Sequence, residues 1–220
     1  MQGLVEFIIK GRTALLMHAD DIDAADELDA WRKAPDNKKN SKAGDDRSPP
    51  WTWQKYLYLD SERKHIVMPW ENVSACLREA GAQLILKKQK SFKSETQAAI
   101  RPTTEFYEFT VVGKPVPLAK IEALRELKFS EQKESVKKMG FLLHQKRARV
   151  GTNKHVRVRA RFDDWGVRGV LEVDSPAIDM DILRNLFELG GKVGLCDWRP
   201  GSKQSPGPFG MFELVSLKQV

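Results

Sequence analysis

The chain has 220 residues, 41% of them hydrophobic, which is the share of a folded globular protein and excludes disorder throughout. No apolar run approaches the roughly 20 residues that a membrane-spanning helix needs, so an integral helical membrane protein is excluded as well. The net charge of +7 at pH 7 favours a polyanionic partner.

The ends and cysteines of the chain bear on its compartment. The N-terminal residues enter a strand pattern directly and do not resemble a signal peptide. The two cysteines, Cys76 and Cys196, lie far apart in the sequence and do not indicate a structural disulfide. We therefore expect a reduced, cytoplasmic protein with no membrane partner.

The first half of the chain predicts two strands and a helix, interrupted by an insertion. Residues 4–10 alternate apolar and polar side chains and predict a strand, and residues 65–69 predict a second, short one. Between them, the acidic residues 20–31 predict a short helix, and the polar, proline-bounded stretch at about 33–50 predicts a mobile insertion. Residues 71–86 predict a helix, because apolar side chains recur every three or four residues: Val73, Leu77, Ala80 and Leu84.

The second half predicts a further strand–helix–strand unit. Its strands are predicted at residues 106–112, 167–173 and 209–217. Residues 179–189 predict a helix that Gly190 ends. Together the two halves predict an α+β fold in one domain, residues 1–220. Its core is a ferredoxin-like or RRM-like antiparallel sheet with two helices on one face, carrying long insertions.

Residues at about 141–162 predict a basic hairpin. From residue 137 to residue 161 every charged side chain is basic, and residues 156–161 alternate apolar side chains with arginine, which places the arginines on one strand face. A solvated outer face usually mixes both signs of charge, so the run favours nucleic-acid phosphates as partner, although a solvated face stays open. The predicted binding residues are Lys146, Arg147, Arg149, Lys154, Arg157, Arg159 and Arg161.

A second group of lysines follows the first predicted helix. Lys87, Lys88 and Lys90 are candidate contacts to nucleic-acid phosphates. The alternative is that they stabilise the C-terminal end of that helix, where cations are favoured by the helix dipole.

A glycine-rich stretch, residues 190–210, follows the last predicted helix. Glycine at this density indicates an ordered connection whose backbone needs positive φ or lies close to another segment. Trp198 and Arg199 at its centre offer a stacking face and a phosphate contact, and we predict that both bind nucleic acid. The alternative is an ordinary helix C-cap with Trp198 in the core.

Residues for catalysis or metal binding form no recognisable pattern. The four histidines lack metal-ligand spacing, and the chain has no CxxC pair and no phosphate-binding loop motif. We therefore predict no catalytic residue, no metal and no cofactor, and a protein that is not an enzyme. His18, after the first strand, is the one histidine retained as a catalytic candidate, against the alternative of a structural role.

Four segments resemble the RAMP superfamily, in particular the backbone subunits of CRISPR effector complexes and related solitary phage proteins. One is the first strand with residues 11–18, and another is the strand–proline–helix stretch at residues 66–81. The third is the basic hairpin leading into residues 161–165. The last is the glycine-rich stretch, which is similar to the family's G-x-G-D-x-R-P loop before a G-x-F-G-x-F strand.

The resemblance implies single-stranded RNA bound along a basic palm and the hairpin, with single-stranded DNA as the open alternative. It also implies self-association, or assembly with other effector subunits, into a filament. Two other functions stay open. One is a metal-independent endoribonuclease that acts through His18. The other is a phage-encoded protein that interacts with a host effector complex, which the acidic residues 20–29 suggest.

Overall fold

The computed structural model describes residues 1–35, 37, 49–60, 62, 64–86, 90–150 and 153–220, with the backbone alone at residues 32, 86, 90, 147–150 and 153–155. The strands are β1 (Gln2–Gly11), β2 (Leu15–Leu16), β3 (Leu59–Asp60), β4 (His65–Pro69), β5 (Ile85–Leu86), β6 (Lys90–Ser91), β7 (Ile100–Pro102), β8 (Phe106–Val111), β9 (Leu142–Val150), β10 (Asn153–Phe162), β11 (Trp165–Asp174) and β12 (Phe212–Gln219). The α-helices are α1 (Ile22–Lys33), α2 (Trp70–Gly81), α3 (Lys93–Ala99), α4 (Leu118–Glu122), α5 (Phe129–Lys138) and α6 (Met180–Val193), and Pro50–Tyr56 is a 3₁₀ helix. The predicted insertion at about 33–50 lies mostly outside the described residues.

The main sheet has the strand order β12-β1-β11-β8-β4-β3, with β7 also paired to β11, and every pair is antiparallel. Because β1 and β8 both run against β11, they run parallel to each other, and α2 lies between them in the chain. The strands β11 and β12 are related in the same way through α6. The α+β prediction with an antiparallel sheet is confirmed, and this strand order is compatible with a ferredoxin-like arrangement.

The helices α2 and α6 pack against each other and cover one face of the main sheet. Alternate residues of β1 point into this layer, and the ring of Phe7 lies 5.1 Å from that of Tyr107 and 5.0 Å from that of Phe187. Burying a side chain such as Phe7 stabilises the fold by about 1.5–3 kcal/mol. The apolar stripe predicted for the first helix is confirmed at Val73, Leu77 and Ala80, which are all buried.

The first helix is shorter than the sequence predicts, because α2 ends at Gly81 and residues 85–86 form the strand β5. The amide of Gln83 donates to the carbonyl of Ala80 at 2.9 Å, a bond across three residues, so the chain tightens just past the helix end. The apolar periodicity therefore runs past the end of the helix.

The prediction that Gly190 ends the last helix is wrong. The helix continues through Gly190 and Gly191 to Val193, and Gly194, with φ of 82°, stands at its C-cap. A Cβ on Gly191 would lie 2.2 Å from the carbonyl oxygen of Phe212, so this glycine lets α6 approach the backbone of β12. The glycines therefore serve a close contact between elements, which local sequence does not distinguish from a cap.

The basic hairpin is confirmed as β9 and β10, which pair from residue 142 to residue 161 and join β2 in a second sheet. Its turn, residues 151–152, lies outside the described residues. The base of the hairpin is anchored by Phe162, whose ring lies 5.1 Å from that of Phe109 in the main sheet and 5.0 Å from that of Phe141. The hairpin is thus fixed at its base to the core. Within the described ranges, no helix is both long and apolar enough to cross a membrane.

The two adjacent glycines of α6 give a test of this packing. We expect Gly191→Ala to lower the free energy of unfolding by about 2–4 kcal/mol, because its Cβ would collide with a backbone carbonyl that cannot move aside. Gly190→Ala is the matched control. Its Cβ would meet the Cys76 sulfur at 3.1 Å, a contact offset by the roughly 1 kcal/mol gained in helix propensity. Urea denaturation measures the free energy of unfolding of each variant. Equal losses of stability in the two variants would contradict the close approach of α6 to β12.

Candidate nucleic-acid interface

The connection from α6 to β12, residues 194–210, is the glycine loop, and backbone hydrogen bonds hold it in one shape. The Leu195 amide donates to the Gly210 carbonyl at 2.9 Å, and the Asp197 amide donates to the carbonyl of Leu16 in β2 at 3.0 Å. Cys196 and Trp198 have φ of 61° and 51°, a left-handed conformation that costs a non-glycine residue free energy. The bonds on either side hold these two residues in that conformation.

Arg199 fixes the glycine loop to the helix α2. Its two terminal nitrogens donate to the two carboxylate oxygens of Glu79 at 2.8 and 3.0 Å. The hydrogen bond to Glu79 is the largest cause of the raised pKa of Arg199. The guanidinium predicted as a phosphate contact is therefore occupied by a carboxylate of the chain itself.

Trp198 faces the hairpin and is half-buried, so it is neither a core residue nor a free surface one. Its ring lies 5.3 Å from that of Phe209 and 6.5 Å from that of His144 in β9. The ammonium nitrogen of Lys146 stands over the indole, 2.9 Å from the ring centroid. Two predicted binding residues from distant parts of the chain are thus brought together as a cation–π pair.

A second contact between loop and hairpin is the ion pair of Asp197 with Arg159, whose side chain is only 13% exposed. A terminal nitrogen of Arg159 lies 3.3 Å from Nδ1 of His18, and the ring of His18 meets that of Tyr56 edge-on at 4.9 Å. Burial, followed by the charge of Arg157, lowers the pKa of Arg159, which still stays charged beside Asp197. Arg159, in the hairpin, therefore contacts both Asp197 of the glycine loop and His18, which lies two residues after β2.

His18 is neutral in this setting. Burial and the charge of Arg159 lower its pKa from the ordinary 6.5. Asp197 lies 3.9 Å from Nδ1, beyond hydrogen-bond distance, and its charge is already balanced by Arg159. Since a guanidinium only donates, Nδ1 accepts, and we assign the proton of the neutral ring to Nε2.

The three alternating arginines have different surroundings. Arg159 pairs with Asp197, and the Nε of Arg161 donates to Asp163 at 2.8 Å. Arg157 forms no ion pair within the described part of the chain, and in the strand register it stands directly opposite Lys146. Like charges opposite each other on one face of a hairpin repel. An anion placed between Arg157 and Lys146 would relieve that repulsion.

The side chains of the other predicted binding residues are not among those that the structure describes. Arg147 and Arg149 belong to β9, Lys154 to β10 and Lys90 to β6, each described by its backbone alone. Lys87 and Lys88 lie outside the described residues. For these six positions the binding prediction remains a prediction.

The site also contains residues that the sequence did not single out. They are Asp197, Tyr56 and His144, which the fold brings to Arg159 and Trp198 from the glycine loop, the 3₁₀ helix and β9. Counting back from the hairpin turn would have placed Lys146 and His144 opposite Arg157 and Arg159, since facing residues share a side of the sheet. Tyr56 and Asp197 carry no comparable local signal.

The exposed face of the main sheet does not suit a polyanion. On that face Arg168 stands opposite Glu108 and is bound by Glu6 through hydrogen bonds of 2.6 and 2.8 Å. Glu172 lies on the same exposed side of β11. These carboxylates repel phosphates, so this sheet face is not a candidate for the nucleic-acid interface.

No cluster of three or more His, Cys, Asp or Glu side chains suited to a metal ion occurs in the part of the chain that the structure describes. Neither a protein-family model nor a curated protein matches the chain.

The histidines of the interface predict how stability depends on pH. Burial lowers the pKa of both His18 and His144 below the ordinary 6.5, and neighbouring cations act in the same direction. The unfolded chain therefore binds these protons more tightly than the folded one. Their contribution to stability is complete above about pH 6.5 and is lost as pH falls from there through the folded pKa values.

We expect the urea midpoint to fall between about pH 7.5 and pH 5, and to fall less in the double variant His18→Gln, His144→Gln. Equal falls in the two proteins would contradict the assignment.

Proposed function

We propose that the chain is a nucleic-acid-binding module that holds single-stranded RNA between the basic hairpin and the glycine loop. The observation that carries the proposal is the pair Arg157 and Lys146, two cations directly opposite each other with no ion pair to a carboxylate among the described residues. Beside them stands Trp198, an aromatic ring with its own cation. Phosphate contacts and base stacking are the two interactions that single-stranded nucleic acids offer.

The free energy of binding comes from phosphate neutralisation and stacking. Each phosphate that Arg157 or Lys146 neutralises releases counterions, which makes the affinity depend steeply on salt. A base that stacks on Trp198 adds about 1–3 kcal/mol whatever its sequence. The site thus favours binding without strong sequence preference.

The choice of RNA over DNA, and self-association or assembly into an effector filament, belong to the proposal through the resemblance to the RAMP superfamily. A cytoplasmic location is also proposed. It is supported by the two cysteines, which are both free, and burial raises the pKa of the Cys76 thiol to about 12. A buried thiol in this state packs as an apolar side chain and does not need a disulfide.

We expect the double variant Arg157→Glu, Lys146→Glu to bind labelled single-stranded RNA at least about tenfold more weakly than the wild type. The slope of log affinity against log salt is expected to become shallower by roughly 1.4, which is two contacts at about 0.7 each. Fluorescence anisotropy across a salt series, with matched single- and double-stranded DNA, measures both quantities. Arg159 is left intact, because reversing it would set two carboxylates against each other in a nearly buried site.

The matched control is Arg184→Glu, Lys218→Glu, which changes the net charge by the same amount at exposed positions of α6 and β12. We expect it to change the affinity by less than about threefold, through net charge alone. Equal losses in the two double variants would remove the hairpin from the proposal.

A metal-independent endoribonuclease is the second candidate, and the neutral imidazole of His18 beside Arg159 is the observation in its favour. The geometry opposes it. Nδ1, the nitrogen that would accept a proton from an attacking hydroxyl, faces the guanidinium of Arg159. A lowered pKa also makes the imidazolium scarce at neutral pH, so His18 is a weak general acid.

We therefore expect no cleavage when the wild type is incubated with end-labelled single-stranded RNA in the presence of EDTA, as read on a denaturing gel. His18→Ala and a mock purification serve as controls. Cleavage by the wild type that His18→Ala abolishes would overturn this expectation and make the protein a nuclease.

A further inference from the structure

A cleft of about 410 Å³ lies where the end of β8, the helix α4 and the end of α5 meet, next to the base of the hairpin. Its floor is apolar and includes Val116 and Met139. Its rim carries four exposed lysines, Lys114, Lys120, Lys137 and Lys138, and no carboxylate is among the residues that line it. We refer to it as the lysine cleft.

None of the four lysines forms an ion pair with another described residue. Lys137 and Lys138 stand in the last turn of α5, where cations are favoured by the helix dipole. That effect does not account for Lys114, which follows β8, or for Lys120 in α4. The convergence of three separate segments leaves a concentrated positive charge around an apolar floor.

A strained residue stands in the lysine cleft. Val112 has φ of 49°, which is rare for a β-branched residue, and its side chain is 57% exposed. Gly140, with φ of 92°, lies beneath it, and a Cβ there would meet the Val112 side chain at 2.8 Å. The fold thus presents an aliphatic side chain between lysines, a surface suited to an acidic segment with an exposed aliphatic residue.

The helix α1 of the same chain has those properties. Ile22, at its first position, is 79% exposed. Asp26 follows four residues later on the same helix face, and Asp23 lies next to Ile22. Neither Asp23 nor Asp26 forms an ion pair or side-chain hydrogen bond within the described residues, whereas Asp29 pairs with Lys33. An exposed aliphatic side chain flanked by unpaired carboxylates complements the lysine cleft, whose floor is apolar and whose rim is positively charged.

We propose that the first turns of α1 of one copy dock in the lysine cleft of a second copy, with Ile22 against Val112 and the aspartates among the lysines. The two surfaces are different, so the contact is heterologous, and copies add in an open chain unless the rotation closes a ring. The inference names the interface for the self-association part of the proposed function and does not involve the basic hairpin.

The test is sedimentation velocity of nuclease-treated, RNA-free protein over a concentration series. We expect the mean mass to rise with concentration at about 50 mM salt and to fall toward the monomer at about 500 mM salt, since exposed charge pairs are screened. A wild type that stays monomeric throughout overturns the proposal.

Two charge-reversal variants sharpen the test. The cleft variant carries Lys114→Glu and Lys137→Glu, and the helix variant carries Asp23→Lys and Asp26→Lys. Each alone is expected to self-associate at least about tenfold more weakly, because each juxtaposes like charges. An equimolar mixture is expected to associate again, since each reversed surface then meets its complement on the other variant. Arg184→Glu, Lys218→Glu, which lowers the net charge by as much as the cleft variant does, is the control for the net charge of that variant.

A mixture that stays monomeric, or variants that associate as the wild type does, overturns the proposal. Anisotropy on single-stranded RNA with the helix variant separates this result from the proposed function. RNA binding that survives the loss of self-association in the helix variant leaves the hairpin site standing. Lost RNA binding with normal self-association in the Arg157→Glu, Lys146→Glu variant leaves the lysine cleft standing.

Discussion

The ion pair between Arg159 and Asp197 is the contact on which the geometry of the interface depends. It joins the hairpin to the glycine loop, and both side chains are shielded from water, with 13% and 27% of their surface exposed. Removing one partner of such a pair leaves a partly buried charge uncompensated, which is destabilising. The same contact supports the neutral state of His18, because burial and then the charge of Arg159 lower its pKa, and Arg159 directs a donor at Nδ1.

That contact also divides the basic residues into two groups. Three arginines form ion pairs within the chain: Arg159 with Asp197, Arg161 with Asp163 and Arg199 with Glu79. Their charges are therefore balanced by carboxylates of the protein itself. Arg157 and Lys146 face each other across the hairpin without a carboxylate. These internal ion pairs leave the formal net charge of +7 unchanged, because each removes one cation and one anion, but they decide where the uncompensated cations lie. The carboxylates of the open sheet face make that face unfavourable for a polyanion.

Local periodicity was sufficient for the main strands and for α2 and α6 apart from their C-terminal ends, and it was insufficient for α3, α5 and the site. The stripe of α2 and the alternation of β10 were predicted because a 3.6- or 2-residue period is visible in a short window. The role of Arg199 was not predicted, because its partner Glu79 lies in α2, far from the glycine loop in sequence. No residue near Arg199 in the sequence identifies Glu79 as that partner. The end of α6 was misread for a related reason, since the need for glycine at Gly191 comes from the backbone of Phe212, which is distant in sequence. Contacts between distant segments decided which candidate residues remain free.

In the proposed function, the position of Lys146 would allow a base to bind Trp198 without a large cost in free energy. A nucleic-acid base that stacks on Trp198 competes with the Lys146 ammonium for the same ring. Giving up an exposed cation–π contact costs about 0.5–1 kcal/mol. The released ammonium can then follow the phosphate attached to that base, and a charge-assisted contact contributes about 1.5–3 kcal/mol. The exchange is favourable for a ligand that carries both a ring and a phosphate, and unfavourable for one that carries the ring alone. Under the proposed function, the cation–π pair would therefore favour nucleotides over other aromatic ligands.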